Sequence, residues 1–119
     1  MHGLPSNFDP LVFVGRIMEQ LSFSRNTICL SFEGSLSVTV EGTFEHQVTA
    51  DTADVDAGEP PLGVSRLMQL VGEPVVAASV EGAGTLDLRF ANGQVFRCLD
   101  DSSTYESYRI SISGREIVV

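Results

Sequence analysis

Two stretches of the chain, residues 14–44 and 71–101, resemble each other, and this internal resemblance is the strongest constraint on the fold. Each stretch opens with Val-Gly, and the same residue types then follow in the same order. The matched residues are Val14-Gly15 with Val71-Gly72, Ser22 with Ser79, Thr27 with Thr85, Leu30 with Leu88, Phe32 with Phe90 and Gly34 with Gly93. Because the spacing of the hydrophobic residues also matches between the two stretches, we predict a duplicated folding unit.

Each stretch is predicted to form a three-stranded meander. In the second stretch, residues 75–80 are a β-branched run, and residues 85–90 alternate between apolar and polar side chains. The pair Asn92-Gly93 is typical of a tight hairpin turn, because both central positions of that turn need positive φ. Residues 95–99 return as the third strand. The first stretch follows the same scheme, with Ile28, Leu30 and Phe32 on one face.

The first strand of the first stretch has two interpretations. Helical spacing relates Leu11, Val14, Met18 and Leu21. Pro10, after Asp9, is suited to the first turn of a helix. The matching segment at residues 75–80 is a β-branched run that follows a proline, which favours a strand. We therefore predict a strand over residues 16–23.

The remaining segments complete a single domain over residues 1–119. Residues 49–63, rich in acids and proline, are predicted to be an exposed linker loop. A short helix follows and ends at Gly72, with Val64, Leu67, Met68 and Val71 on one face. Residues 108–113 and 117–119 form a C-terminal hairpin. The predicted fold is mainly β, at the margin of α+β: a bent antiparallel sheet or small open barrel.

The charge balance narrows the classes of partner. Among 119 residues, sixteen acids face seven bases, and the formal net charge is −9. No lysine occurs, so all seven bases are arginine. A nucleic-acid binder needs a basic footprint, and adhesion to an anionic membrane needs basic residues as well. We therefore expect neither nucleic acid nor membrane as a partner, and we expect a basic protein instead.

The sequence gives little support for an enzyme. Cys29 and Cys98 are predicted to be reduced, partly buried thiols. His46 lies between Glu45 and Gln47 without a nucleophile motif and is predicted to face solvent. Two cysteines without paired histidines do not make a zinc site, so no metal or cofactor is expected. No signal peptide or membrane-spanning run is recognisable, and a cytoplasmic location is expected.

Two acidic clusters are the candidate partner-binding residues. The first surrounds a tyrosine motif and comprises Asp100, Asp101, Tyr105, Glu106 and Tyr108; the second lies in the linker loop and comprises Asp51, Asp54, Asp56 and Glu59. Their carboxylates are suited to arginines on a partner. In the structural alternative, the acids and serines cap turns, the tyrosines pack on the sheet, and the loop is a solvated linker. The spacing matches no calcium-binding loop, which disfavours a metal site.

The tyrosine motif also carries a family resemblance. Residues 100–108 read DDSSTYESY and resemble the D-D-S-x-x-Y-E-S-Y signature of a family of small uncharacterised bacterial β-rich domains. Further matches, from about Leu11 to Val119, are Gly15-Arg16, Glu19-Gln20, Val40-Glu41-Gly42-Thr43-Phe44, Gly114 and Ile117-Val118-Val119. The resemblance implies no established activity, substrate or cofactor, so no catalytic residue is carried over. Similar small acidic bacterial proteins often occur as immunity partners of toxins.

Three functional hypotheses remain at this point. The first is a non-enzymatic acidic protein that binds and neutralises a basic protein partner, as immunity proteins do. The second is a homo-oligomeric assembly module, with residues 117–119 as a strand that pairs with another copy. The third is a small ligand-binding or hydrolytic domain with a pocket that joins Tyr105, Glu106 and the Asp100-Asp101 pair.

Overall fold

The computed structural model describes residues 8–24, 27–48, 55–58, 64–82, 84–99 and 107–119. Within these ranges the chain forms ten strands: β1 (Met18–Phe23), β2 (Ile28–Phe32), β3 (Leu36–Val40), β4 (Phe44–Gln47), β5 (Val55–Gly58), β6 (Val75–Glu81), β7 (Thr85–Phe90), β8 (Val95–Cys98), β9 (Tyr108–Ile112) and β10 (Arg115–Val118). One α-helical turn, α1 (Val64–Leu67), leads into a 3-10 helix at Met68–Leu70, and a second 3-10 helix lies at Pro10–Phe13. None of the described helices has the length and apolar character needed to cross a membrane.

The strands form two antiparallel sheets of five strands each, which confirms the prediction of a mainly β chain. The strand order is β1-β2-β3-β9-β10 in the first sheet and β5-β4-β8-β7-β6 in the second. Over the described ranges, neither sheet closes into a barrel. The sheets share one apolar core, where the rings of Phe32 and Phe90 stack with centroids 6.4 Å apart. Ile28, Leu30 and Phe32 all point into this core, as their alternation predicts.

The two halves of the chain exchange their last hairpins. Strands β1 to β3 and β6 to β8 each form an antiparallel meander. The hairpin β4–β5 leaves the first meander and pairs with β8, so that Phe44 lies opposite Cys98. In the same way the hairpin β9–β10 pairs with β3, so that Tyr108 lies opposite Val40. Each sheet therefore contains three strands from one half and two from the other.

The sheets are also joined directly at β1 and β6 by a backbone pairing that we call the bridge, in which Ile17 pairs with Pro74. The Gly15 N–H donates to the Val75 carbonyl at 2.8 Å, and in the equivalent position the Gly72 N–H donates to the Met18 carbonyl at 2.8 Å. Gly15 and Gly72 have φ values of +86° and +90°, a backbone conformation that glycine adopts without steric cost. The two Val-Gly pairs, one at the start of each stretch, therefore occupy equivalent positions on the two sides of the bridge.

Part of the acidic linker segment is a strand. The prediction of an exposed loop over residues 49–63 does not hold for Val55–Gly58, which forms β5 and pairs with β4. The other residues of the segment lie outside the described ranges. Val-Asp-Ala-Gly has little intrinsic strand preference, so its conformation depends on backbone hydrogen bonds to β4. Strand β4 itself was not predicted.

The buried face of the short helix agrees with the prediction at Leu67 and differs from it at Met68 and Val71. Leu67 and Leu70 are buried, whereas Met68 is 67% exposed and Val71 is 42% exposed. After Leu67 the helix continues as a 3-10 helix, in which residues three apart share one face. In the N-terminal region the strand interpretation is confirmed by β1, and the helical spacing before it corresponds to the 3-10 helix Pro10–Phe13.

The two halves of the bridge differ in one hydrogen bond. The Ile17 N–H donates to Oε1 of Glu33 at 3.0 Å, whereas its equivalent Pro74 has no N–H to donate. Glu33 and Ala91 occupy matching positions, since the Glu33 N–H donates to the Ile17 carbonyl and the Ala91 N–H donates to the Pro74 carbonyl. The Glu33 carboxylate is therefore present in the half of the bridge in which a backbone N–H, that of Ile17, needs an acceptor.

This difference predicts a coupled effect of two substitutions. In the wild-type background, Glu33→Ala is expected to lower the free energy of unfolding by about 0.5–1.5 kcal/mol, because the Ile17 N–H loses its acceptor. In an Ile17→Pro background the donor is already absent, so Glu33→Ala should change the free energy little. Urea unfolding of the four proteins measures this coupling. Equal losses in the two backgrounds would contradict the assignment.

Candidate functional site

Most of the residues predicted to bind a partner lie outside the described residues. These are Asp51, Asp54, Glu59, Asp100, Asp101, Tyr105 and Glu106. Asp56 lies in β5 opposite His46, and only its backbone is described. The remaining candidate, Tyr108, begins β9.

Tyr108 is a core residue and is not available to a partner. Its side chain is fully buried, and its hydroxyl donates a hydrogen bond to the carbonyl of Gly84. Strand β9 places Tyr108 on the same face as the buried Ile110, because side chains two apart share a face. The prediction of Tyr108 as a partner contact is therefore corrected: the structural alternative, in which the phenol packs on the sheet with its hydroxyl satisfied, describes this residue.

Two other segments that match the family pattern, residues 40–44 and 117–119, lie beside Tyr108. The N–H groups of Glu41 and Gly42 both donate to the carbonyl of Ser107, at 3.0 and 2.8 Å. A Cβ on Gly42 would lie 3.3 Å from the Ser107 Cα, so the close approach favours glycine. The Ser107 N–H donates to the carbonyl of Val119 at 2.8 Å. These residues fix the crossing from β3 to β4 against the start of β9.

His46 is buried, which corrects the prediction that it faces solvent. It lies in β4 on the same face as Phe44, and its Nε2 is 2.8 Å from Oε1 of Gln94. The Gln94 amide donates to Oε1 of Gln69 at 2.7 Å, so the Gln94 oxygen is left to accept from His46. This chain of polar groups connects the core to the exposed Gln69. The period-2 spacing of Phe44 and His46 is the sequence signal that could have placed the imidazole inside.

The two cysteines are free thiols in different surroundings. Cys98 is buried in the core, and burial raises the pKa of its thiol well above the ordinary value because the thiolate would be desolvated. Cys29 is partly buried on β2, with its Sγ 3.9 Å from the Ser31 hydroxyl. Within the described ranges, no three His, Cys, Asp or Glu side chains are grouped so that they could hold a metal ion.

Arginines on the outer face of the second sheet are paired with acids of the same face. The Arg97 Nε lies 2.8 Å from Oδ2 of the buried Asp87, and its Nη1 lies 3.7 Å from Oε1 of Glu45. The Arg89 Nε lies 3.6 Å from the other Asp87 oxygen. Because the register places Arg97 opposite both Asp87 and Glu45, the pairing follows from the strand order β4-β8-β7.

Two more arginines are also engaged within the chain. Arg109 in β9 lies between Glu41 and Glu116, at 3.2 and 3.4 Å from their Oε1 atoms. Arg16 donates from Nε to the Val12 carbonyl and from Nη1 to two carbonyls of the β2–β3 turn. Four arginines are thus used in contacts inside the molecule, which lowers the positive charge that is available to a partner.

Several acids have no such partner in the described part of the chain. Asp9, Glu19, Glu33, Glu73 and Glu81 form no ion pair with another described side chain. Glu73 is partly buried and the other four are exposed. Arg89 and Arg115 are the exposed arginines of the described part of the chain, where exposed acids outnumber them, so the accessible charge there is mainly negative.

Exposed apolar side chains concentrate around the bridge, and we call this group the bridge patch. It consists of Leu11, Val14, Ile17, Met68, Val71 and Val76. The exposed fractions reach 67% at Met68 and 63% at Leu11. Leu11 and Met68 are equivalent residues of the two 3-10 helices, whose buried residues Phe13 and Leu70 are also equivalent.

Unpaired acids border the bridge patch. Asp9 accepts the Leu11 N–H at 3.0 Å, Glu33 accepts the Ile17 N–H, and Glu73 precedes Pro74. Glu19 is exposed on β1, one residue beyond Met18. The arrangement is an apolar centre with an acidic rim, which sequence analysis did not identify because its residues come from two distant segments.

Removal of the Tyr108 hydroxyl tests whether this group stabilises the fold, as its hydrogen bond to Gly84 implies. Tyr108→Phe is expected to lower the free energy of unfolding by about 1–3 kcal/mol, because the Gly84 carbonyl loses a buried donor. Thermal and urea unfolding measure this loss. Phe96→Tyr is the converse control, because it adds to the core a buried hydroxyl that needs a hydrogen-bond partner. Unchanged stability of Tyr108→Phe would contradict the structural role.

Comparison with known proteins gives one match. No curated protein and no solved structure is significantly similar to the chain. One family model, described as "Family of unknown function (DUF6188)", matches residues 10–119. The match covers both sheets, the bridge and the crossing at Ser107. The chain therefore belongs to this family of unknown function.

Proposed function

We propose that the protein is a non-enzymatic binding protein whose partner is a basic protein. The most concrete version is an immunity-type protein of bacterial origin that binds a basic toxin and blocks its working surface. The proposal rests on the excess of negative charge and on the engagement of arginines in contacts within the molecule. The chain has a net charge of −9, and four of its seven arginines are engaged with acids or carbonyls of the same molecule.

Accessible negative charge favours association with a basic partner in two ways. It raises the rate of encounter, because the field of the whole molecule acts over about 10 Å at about 0.1 M salt and further at lower salt. It also disfavours wrong partners of like charge. Neutralisation then needs no chemistry by this chain, because covering the basic surface of the partner is sufficient to block it.

The chemistry of the described side chains supports a binding role. His46 is enclosed in the core with its Nε2 committed to Gln94, and the raised pKa of the Cys98 thiol keeps it protonated. Both groups are accounted for by packing and hydrogen bonding.

A homo-oligomeric module is the second candidate, and one observation favours it. Among the described strands, β10 lies at the edge of the first sheet, and an edge strand can pair with a strand of another copy. Opposing it, two copies of a chain with a net charge of −9 repel each other. The basic partner is therefore the preferred proposal.

Binding to a basic protein should depend on salt and on the unpaired acids. The immobilised protein is expected to retain basic proteins from a bacterial lysate at about 0.05 M salt and to release most of them by about 0.3 M, as the Debye length shortens. The triple substitution Glu19→Gln, Glu73→Gln and Glu81→Gln should weaken retention about tenfold through a slower association rate.

The control carries Ser22→Ala and Ser79→Ala, two exposed substitutions on β1 and β6 that leave the charge unchanged. This control should retain the same basic proteins as the wild type. Absence of basic proteins at both salt concentrations, or equal retention by the triple variant, would overturn the proposal.

A further inference from the structure

We infer that the bridge patch is the docking face for the partner, and that it takes a segment in which apolar side chains are flanked by lysine or arginine. This inference rests on the proposed function, because it assumes a basic partner. It adds the location of the interface and the requirement for apolar anchors, neither of which follows from net charge.

The distribution of exposed apolar residues is the first support. Seven large hydrophobic side chains are exposed in the described part of the chain, and six of them belong to the bridge patch. Scattered single residues of this kind are ordinary on protein surfaces, whereas a concentration of them marks an interaction site. The seventh, Phe23, lies at the opposite end of β1 from the bridge.

The backbone geometry of the bridge brings the six residues together. The paired segments are residues 15–18 and 72–75, and four hydrogen bonds hold them in register. Val14 and Val71 precede the two glycines of this pairing, and each 3-10 helix comes just before its valine. Both halves of the chain therefore present their outward-facing apolar residues at the same joint, on a rigid backbone support.

The rim of the bridge patch determines the charge of the occupant. Asp9, Glu19, Glu33 and Glu73 border the apolar centre without an ion-pair partner among the described side chains. Among the described arginines near the patch, Arg16 is held by three backbone carbonyls, and Arg66, two residues before Met68, is engaged in an interaction of its own. A second copy of this chain would bring a matching ring of acids against this rim, so charge complementarity favours a basic segment.

A few residues that become fully buried on binding carry most of the binding energy at an interface. Leu11 and Met68 are the most exposed members of the patch and are offered to the partner without rearrangement of the core. The acids of the rim would pair with lysine or arginine beside the anchors. An interface of this design loses affinity when either the apolar or the charged component is removed.

Two peptide probes separate these components. The first is an amphipathic peptide of leucine and lysine, and the second has serine in place of each leucine at the same charge. Fluorescence anisotropy at low salt is expected to show at least about tenfold tighter binding of the leucine peptide. Equal affinities would overturn the inference while leaving the proposed function intact. Failure of both peptides to bind would overturn both.

A matched pair of variants then tests the location. Met68→Asp and Phe23→Asp each replace an exposed side chain, 67% and 61% exposed, and each adds one negative charge. For the leucine peptide, Met68→Asp is expected to weaken binding at least about tenfold, whereas Phe23→Asp should stay within about twofold of wild type. Equal effects of the two variants would overturn the location.

Sedimentation of the wild type and of Met68→Asp provides the final check, because it detects a second copy on the patch. Both proteins are expected to be monomers. A wild-type dimer that Met68→Asp dissociates would show that the patch binds another copy of the chain, and would overturn the inference. Circular dichroism confirms that each variant is folded.

Discussion

The exchange of hairpins between the two halves is the constraint on which the rest of the structure depends. Strands β4 and β9 each lie in the interior of a sheet whose first three strands come from the other half. Neither meander therefore has a complete sheet until the opposite hairpin has paired with it. Contacts of this kind join residues far apart in sequence, so folding is expected to be cooperative and slow for a chain of this length. The bridge adds a second long-range connection between the same halves.

This arrangement also explains where charge and apolar surface remain. In the second sheet, the register places Arg97 between two acids, and the row of charges is satisfied within the sheet. At the bridge, the backbone pairs closely while six outward apolar side chains are exposed. The core is filled from both halves by residues such as Phe13 and Leu70, so their neighbours Leu11 and Met68 are left outside. An accessible surface that is acidic and locally apolar is the result.

Much of the fold could be predicted from local pattern, and the departures have physical causes. The alternation of Ile28, Leu30 and Phe32 predicted their common face, because a half-buried strand imposes period 2. Strand β5 could not be predicted, because its four residues are strand only through pairing with β4. His46 was assigned to the surface because it lies between two polar residues, although these point away from the core on alternate positions. The bridge patch requires the pairing of two segments more than fifty residues apart, and nothing local in either segment indicates it.

The hairpin exchange has a consequence for how the molecule would respond to a break in its backbone. Each half contributes strands to both sheets, so two fragments divided between the halves would still be interleaved through the β3–β9 and β4–β8 ladders and through the shared core. The covalent link between the halves therefore serves mainly to raise their effective concentration. In this respect the two halves resemble the subunits of an obligate heterodimer, joined here in one polypeptide. Two separately produced fragments, one from each half, are therefore expected to fold together when they are mixed.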